Sequence, residues 1–166
     1  MPDTTYCQHC ASPLELQDSF GRTRWGCPSC GYVQFDDPKV AVGVLVGDGR
    51  EILLTLRNHE PQQGRWSFPA GFVDRGEDVE LAAIREVQEE TGLNIAIDEL
   101  LGVFSKAGDP VIFIAYSGQV VDGELCAGDE ADDAAFFPAD DLPPLAFPHD
   151  IEIVGAWRKR RLVGTK

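Results

Sequence analysis

At 166 residues the chain can hold one catalytic domain and a small appendage but not two full domains, and its 43% apolar share is that of a soluble globular protein. No apolar run nears the roughly 18–20 residues of a membrane span, and the start Met1-Pro2-Asp3-Thr4 lacks a secretory signal, so a cytoplasmic location away from membranes is expected. The net charge of −14, with eleven acidic residues and no Lys or Arg across 107–157, argues against non-specific nucleic-acid binding and leaves cations to bridge any polyanionic substrate.

Residues 1–36 read as a separate module rich in Cys, Gly and turn formers. Cys7-x-x-Cys10 and Cys27-x-x-Cys30, sixteen residues apart, have the spacing of a four-cysteine zinc site. Four thiolates close a tetrahedral shell, so the Zn²⁺ role is structural, and metal supplies the stability that so short a segment lacks. Iron is the alternative, because Cys27-Pro28-Ser29-Cys30-Gly31-Tyr32 also looks like a rubredoxin knuckle. Arg22 and Arg24 are the module's only basic side chains, which disfavours a nucleic-acid role for it. Cys126 is left over and is expected to be a small apolar side chain.

Asp37-Pro38-Lys39 marks the joint to a second domain, 37–166. Strands are expected at 40–46 and 52–57, joined by Gly47-Asp48-Gly49-Arg50 as a hairpin. A loop from Asn58 to Arg65 leads to Trp66 and Phe68, aromatics that suit either the core or stacking on a base. A helix follows over 79–91, capped by Asp78 and ended by Gly92. Further strands are expected at 100–105, 111–121 and 134–137, then a helix over 151–162 with Ile151, Val154 and Trp157 inward. Its C-terminal cluster Arg158-Lys159-Arg160-Arg161 suits the helix dipole. This order predicts an α/β or α+β domain with a mixed sheet between helices.

The 79–91 helix carries an unusual charge pattern. With Glu86 set at zero on a helical projection, Glu90 falls near 40° and Glu89 near 300°, while Leu81, Ile84 and Val87 fall at about 100–220°. The expectation is an apolar face buried on one side and three carboxylates aimed at one point on the other. Like charges at these spacings oppose helix formation, and a hard divalent cation such as Mg²⁺ or Mn²⁺ is the economical reason to keep them. A plain solvated acidic face is the competing reading.

The wider spacing decides between these readings. From Gly71 the chain runs five residues to Glu77, seven more, then Arg85-Glu86-Val87-Gln88-Glu89-Glu90-Thr91-Gly92-Leu93. This resembles the full Nudix box at every defining position. The resemblance implies an α/β/α sandwich around a mixed sheet, preceded here by a zinc ribbon, and hydrolysis of a nucleoside-diphosphate compound. By position it implies Glu86 and Glu90 as the main metal-binding glutamates and Glu89 as a third ligand or a base. It also implies a ligating carbonyl from Ala70, an orienting Arg85 and a positioning role for Glu77. Many family members add a downstream glutamate, for which Glu130 is the candidate here, and Arg57 and Arg65 are candidates for phosphate or ribose. A homodimer is an assembly the resemblance allows.

The branch is less determined. A ribbon ahead of a Nudix domain resembles the NADH pyrophosphatases, but Ser105-Lys106-Ala107-Gly108-Asp109-Pro110 departs from their Ser-Gln-Pro-Trp-Pro-Phe-Pro-x-Ser signature. The cysteine knuckles with Asp37-Pro38-Lys39-Val40, Gly64-Arg65-Trp66, Phe68-Pro69-Ala70-Gly71 and Leu145-Ala146-Phe147 look more like plant chloroplast FAD/ADP-ribose diphosphatases. ADP-ribose or FAD, cleaved to AMP and a second monophosphate, is therefore the expected substrate. The rivals are a nucleotide sensor that binds without hydrolysis and an adaptor built on the ribbon.

Overall fold

The computed structural model describes residues 5–163, with side chains to residue 160. Two units separate at Asp37-Pro38. In the first, β1 (Glu15–Ser19) and β2 (Arg22–Gly26) form an antiparallel hairpin closed by Phe20-Gly21, both at positive φ (53° and 74°), as a two-residue turn between twisted strands requires. Its core is minimal: Cys7, Leu14 and Cys27 are buried, with Trp25 and Tyr32 packed beside them.

The second unit runs β3 (Lys39–Val46), β4 (Glu51–Arg57), β5 (Trp66–Ser67), β6 (Ala70–Phe72), α1 (Val79–Thr91), β7 (Leu93–Phe104), β8 (Val111–Gly123), β9 (Ala131–Pro138) and α2 (Pro148–Val163). A four-stranded sheet has the order β6-β3-β8-β7, with β3 and β8 parallel and the other pairs antiparallel. A three-stranded antiparallel sheet has the order β5-β4-β9. Side-chain alternation along the strands sends Val42, Val44, Val46 and Leu53 toward Ala82, Ala83 and Val87 of α1. Leu45, Ile52 and Leu54 go the other way, toward Ile153, Val154 and Trp157 of α2. The result is the expected helix–sheet–helix sandwich with a mixed sheet.

Three local expectations are corrected. The strands either side of Gly47-Asp48-Gly49-Arg50 do not pair as a hairpin, because β6 and β8 occupy both edges of β3 and β4 joins the other sheet. Leu81 is 63% exposed and Ile151 69% exposed, although both were expected inward. In each helix the buried stripe is rotated toward positions held by acids. In α2 it runs Asp150, Ile153, Val154, Trp157, and in α1 it runs through Ala82, Ala83, Val87 and Thr91 with Glu86 and Glu90 at its margin. The strand expected at 100–105 is the second half of the twelve-residue β7.

Candidate functional site

The acidic face is assembled from the end of β4, the strand–loop segment before α1, and α1 itself. Asp78 caps α1 by accepting from the backbone N–H groups of Glu80 (3.0 Å) and Leu81 (3.2 Å). Gly92 ends it at φ 69°, donating to Gln88 O. Between the caps, Glu90 is held at both oxygens. Oε2 accepts from Thr55 Oγ1 at 2.9 Å and Oε1 from the Ala70 N–H at 3.1 Å. Burial pushes this carboxyl up to about 7, against the pull of those two donors.

Arg85 organises the other carboxylates. It makes a two-pronged contact with Glu77 (2.8 and 2.9 Å) and reaches Glu86 (2.8 Å), Glu89 (3.0 Å) and the Phe72 carbonyl (3.2 Å). Glu77, paired with Arg85 and accepting from the Asp74 N–H, is held down to about 2. Glu86 is raised instead: desolvation outweighs Arg85, and the charges of Glu89 and Glu130 push the same way. Arg85 does not pair with Glu90, which has no guanidinium partner among the described residues.

Gly71 is required by this arrangement. A Cβ there would lie 2.1 Å from Glu86 Cδ. Gly71→Ala is therefore expected to displace Glu86 and to weaken divalent-cation binding at least about tenfold, read by calorimetric titration with Mn²⁺. An unchanged isotherm would show that Glu86 moves aside freely.

Glu130 comes close through backbone clasps. The Gly128 N–H donates to Glu90 O and the Cys126 N–H to Thr91 O, seating this loop on the end of α1. Asn58 donates from its backbone to Glu130 O and from Nδ2 to Asp129 O. The Glu130 side chain is 73% exposed, against 57% for Glu89 and 14% for Glu86, so the first two are largely in water and the last is mostly buried. His59 bridges this loop to the 57–59 segment: Nε2 lies 2.9 Å from Arg57 Nη2 and 3.8 Å from Glu130 Oε2, and Nδ1 lies 3.2 Å from Asn58 Oδ1. Arg57 is further engaged with Pro61 O and lies over the Phe147 ring at 5.3 Å, while Arg65 is exposed.

Among the described residues, the only group of three or more His, Cys, Asp or Glu with donor atoms all within 4.8 Å is Cys7, Cys10, Cys27 and Cys30. The glutamates are thus neighbours rather than a closed cluster: Thr55 and Ala70 hold Glu90, while Arg85 bonds Glu86 and Glu89. In the cysteine group, Sγ–Sγ separations are 3.6 Å for Cys7–Cys30 and 3.4 Å for Cys10–Cys27, and no disulfide forms. A tetrahedral Zn–S shell with bonds of about 2.3 Å needs separations of roughly 3.8 Å. Both knuckles share one backbone device. The N–H of the fourth residue on, Ala11 or Gly31 at φ 57° or 76°, returns to the carbonyl of Cys7 or Cys27. The donor set and its spacing fit a metal.

Residues 37–157 match the family model of the NUDIX domain, most of the chain's length. The chain belongs to the Nudix family. It is 45% identical over 123 residues to the ADP-ribose pyrophosphatase of Methanocaldococcus jannaschii, covering 72% of this chain and 73% of that protein. It is 35% identical over 141 residues to the NAD-capped RNA hydrolase NudC of Pseudomonas aeruginosa, covering 84% of this chain and 50% of the relative, so the chain spans about half the length of that protein. The crystal structure of a Nudix hydrolase from Nitrosomonas europaea superposes with TM-score 0.88 over 96% of this chain and 93% of that one, at 26% identity. No helix among the described residues is long and apolar enough to cross a membrane.

Within this Nudix domain the sequence did not reveal Thr55, Ser67 or Asp150. Trp66 and Phe68 prove to be packing residues, Phe68 buried and Trp66 edge-on to Phe137 at 4.6 Å. Cys126 is exposed, with its sulfur against Gly92, and lies outside the four-cysteine group. Asp150, 1% exposed, accepts from the Phe147 N–H (3.0 Å) and Ser67 Oγ (3.4 Å), tying the start of α2 to β5. Burial pushes it up to about 6. A carboxyl raised in the fold adds stability that is fully present below its ordinary value and is lost as pH rises through the raised one. Asp150→Asn is accordingly expected to remove a loss of about 3 kcal/mol between pH 4 and 7. Urea unfolding at both pH values reads it; equal pH slopes in variant and wild type would refute it.

Proposed function

We propose that the chain is a metal-dependent pyrophosphatase that cleaves ADP-ribose, or FAD, to AMP and a second monophosphate. The single observation that carries the metal-dependent reading is Glu90: a desolvated carboxylate, pinned by two neutral donors and without a guanidinium partner among the described residues, whose charge calls for a cation. Oxygen donors from Glu86, Glu89, Glu90 and the Ala70 carbonyl would hold Mg²⁺ or Mn²⁺. A cation held there would supply charge compensation for the diphosphate and lower the pKa of the attacking water. Glu89 and Glu130, the most exposed acids of the set, are assigned as the groups that would take that water's proton, a role their access to solvent supports. Arg85 orients Glu86 and Glu89, and Glu77 fixes Arg85. Arg57, at the end of β4, and Arg65, just before β5, flank the loop ahead of the box and are assigned to phosphate or ribose.

ADP-ribose is favoured by the likeness to an ADP-ribose pyrophosphatase and by the departure of 105–110 from the NADH pyrophosphatase signature. NAD-capped RNA is the second reading, favoured by the NudC relatives; it would require RNA to approach a chain of net charge −14. An intact box disfavours the non-hydrolysing sensor and the ribbon adaptor. The cysteine site is assigned to structural Zn²⁺, with Fe as the alternative that elemental analysis excludes or establishes. The homodimer that family likeness allows and the cytoplasmic location belong to the same proposal; sedimentation of the purified chain tests the first. Substrate is tested by incubating purified protein and Mg²⁺ with ADP-ribose, FAD, NADH, NAD-capped RNA and nucleoside triphosphates. Release of AMP from ADP-ribose or FAD at the highest kcat/KM is the expected result, and turnover of triphosphates alone defeats the proposal.

A further inference from the structure

We infer that Thr55 is a positioning residue whose hydroxyl sets the Glu90 carboxylate for divalent-cation binding; the inference rests on the metal-site reading above. Thr55 is 2% exposed and lies on β4, a strand outside the Gly71–Leu93 box. Its Oγ1 stands 2.9 Å from Glu90 Oε2 and 3.3 Å from the Ser67 carbonyl. One hydroxyl carries one proton, so toward an ionised Glu90 it donates to Oε2, the shorter contact and the charged acceptor. The other Glu90 oxygen is held by the Ala70 N–H. The carboxylate is thereby gripped from two chain segments, which fixes its rotamer and plane and leaves one lone pair on each oxygen for a cation.

β4 is itself held in register at this point. Thr55 faces Ser67 across the β4–β5 ladder, and Ser67 Oγ donates to the buried Asp150 of α2. Glu90 therefore takes its orientation from a frame reaching through β5 to the far helix, not from α1 alone. A donor to a ligating carboxylate typically affects metal affinity by about 10- to 100-fold.

The test uses the full chain and Mn²⁺ as probe, with free Mn²⁺ read by electron paramagnetic resonance and Mg²⁺-dependent turnover read in parallel. Thr55→Val keeps the shape and deletes the donor; Thr55→Ser keeps the donor and deletes the methyl. The expected result is Mn²⁺ affinity weakened about 10- to 100-fold in Thr55→Val and restored to within about threefold of wild type in Thr55→Ser. If Thr55→Val does not fold, Thr55→Ala against Thr55→Ser makes the same comparison, since both lack the methyl. Equal Mn²⁺ affinity with and without the hydroxyl overturns the inference, as does equal weakening in both variants. Wild-type chain that binds no Mn²⁺ defeats the metal-site reading itself, a different outcome from either.

Discussion

Glu90→Gln is expected to lower ADP-ribose turnover by more than about 100-fold, beyond the loss typical of an outer donor, while leaving the fold intact. The retained fold follows from the hydrogen bonds. The Gln carbonyl can accept from the Ala70 N–H, and its amide can donate to Thr55 Oγ1, whose own proton then turns to the Ser67 carbonyl 3.3 Å away. Shape and satisfaction survive; only the charge is removed. Metal-free stability gives an independent readout. Because Glu90 titrates at about 7 in the fold, above the ordinary glutamate value, its ionisation destabilises the folded state as pH rises toward 7. The loss amounts to about 3 kcal/mol between pH 4 and 8. Wild type should lose that stability without metal and regain it with Mg²⁺, whereas Glu90→Gln should lose about 3 kcal/mol less over the same range, keeping the loss due to Asp150, and should gain less from Mg²⁺. A variant that keeps turnover would remove Glu90 from the site altogether.

The box was legible in the sequence because nearly every fixed position answers to a contact. Gly71 makes room for Glu86, Glu77 pairs with Arg85, Gly92 ends the helix, and Glu90 reaches back to Ala70. The helix face was not legible, for a related reason. Apolar periodicity assumes that charged positions face water, and here Glu86, Glu90 and, in α2, Asp150 lie on or beside the buried stripe. The fitted stripes therefore slid onto Leu81 and Ile151, which the structure leaves in solvent. Both errors mark places where a carboxylate is buried for a purpose other than packing. The two- and three-residue strands β5 and β6 are too short to show a period, and Thr55 and Ser67 within this frame read as ordinary strand residues. Glu130 could be suspected but not placed, since its approach depends on backbone bonds from Gly128 and Asn58 that no pattern encodes.

Cys27→Ser is expected to abolish metal binding in the first unit and to unfold that unit. Cys27 is 2% exposed, its sulfur lies 3.4 Å from Cys10 Sγ, and its backbone closes the second knuckle through Tyr32 and Gly31. Apolar burial cannot hold the unit without metal. Leu14 and two cysteines are its buried apolar residues among those described, and full burial of one such side chain contributes only about 1.5–3 kcal/mol. Ordering each residue costs about 1–2 kcal/mol in backbone entropy alone, so a stretch this long needs the roughly 10–16 kcal/mol that a structural zinc supplies. Elemental analysis should fall from about one metal per wild-type chain to near none. Trypsin provides the structural readout, because Arg22 and Arg24 lie in the β1–β2 ladder and are protected only while it exists. The variant should be cut there at once, as should wild type treated with chelator. Retention of metal and of trypsin resistance by Cys27→Ser would mean that the sulfurs are gathered by the chain itself, and the four-cysteine site would then need another role.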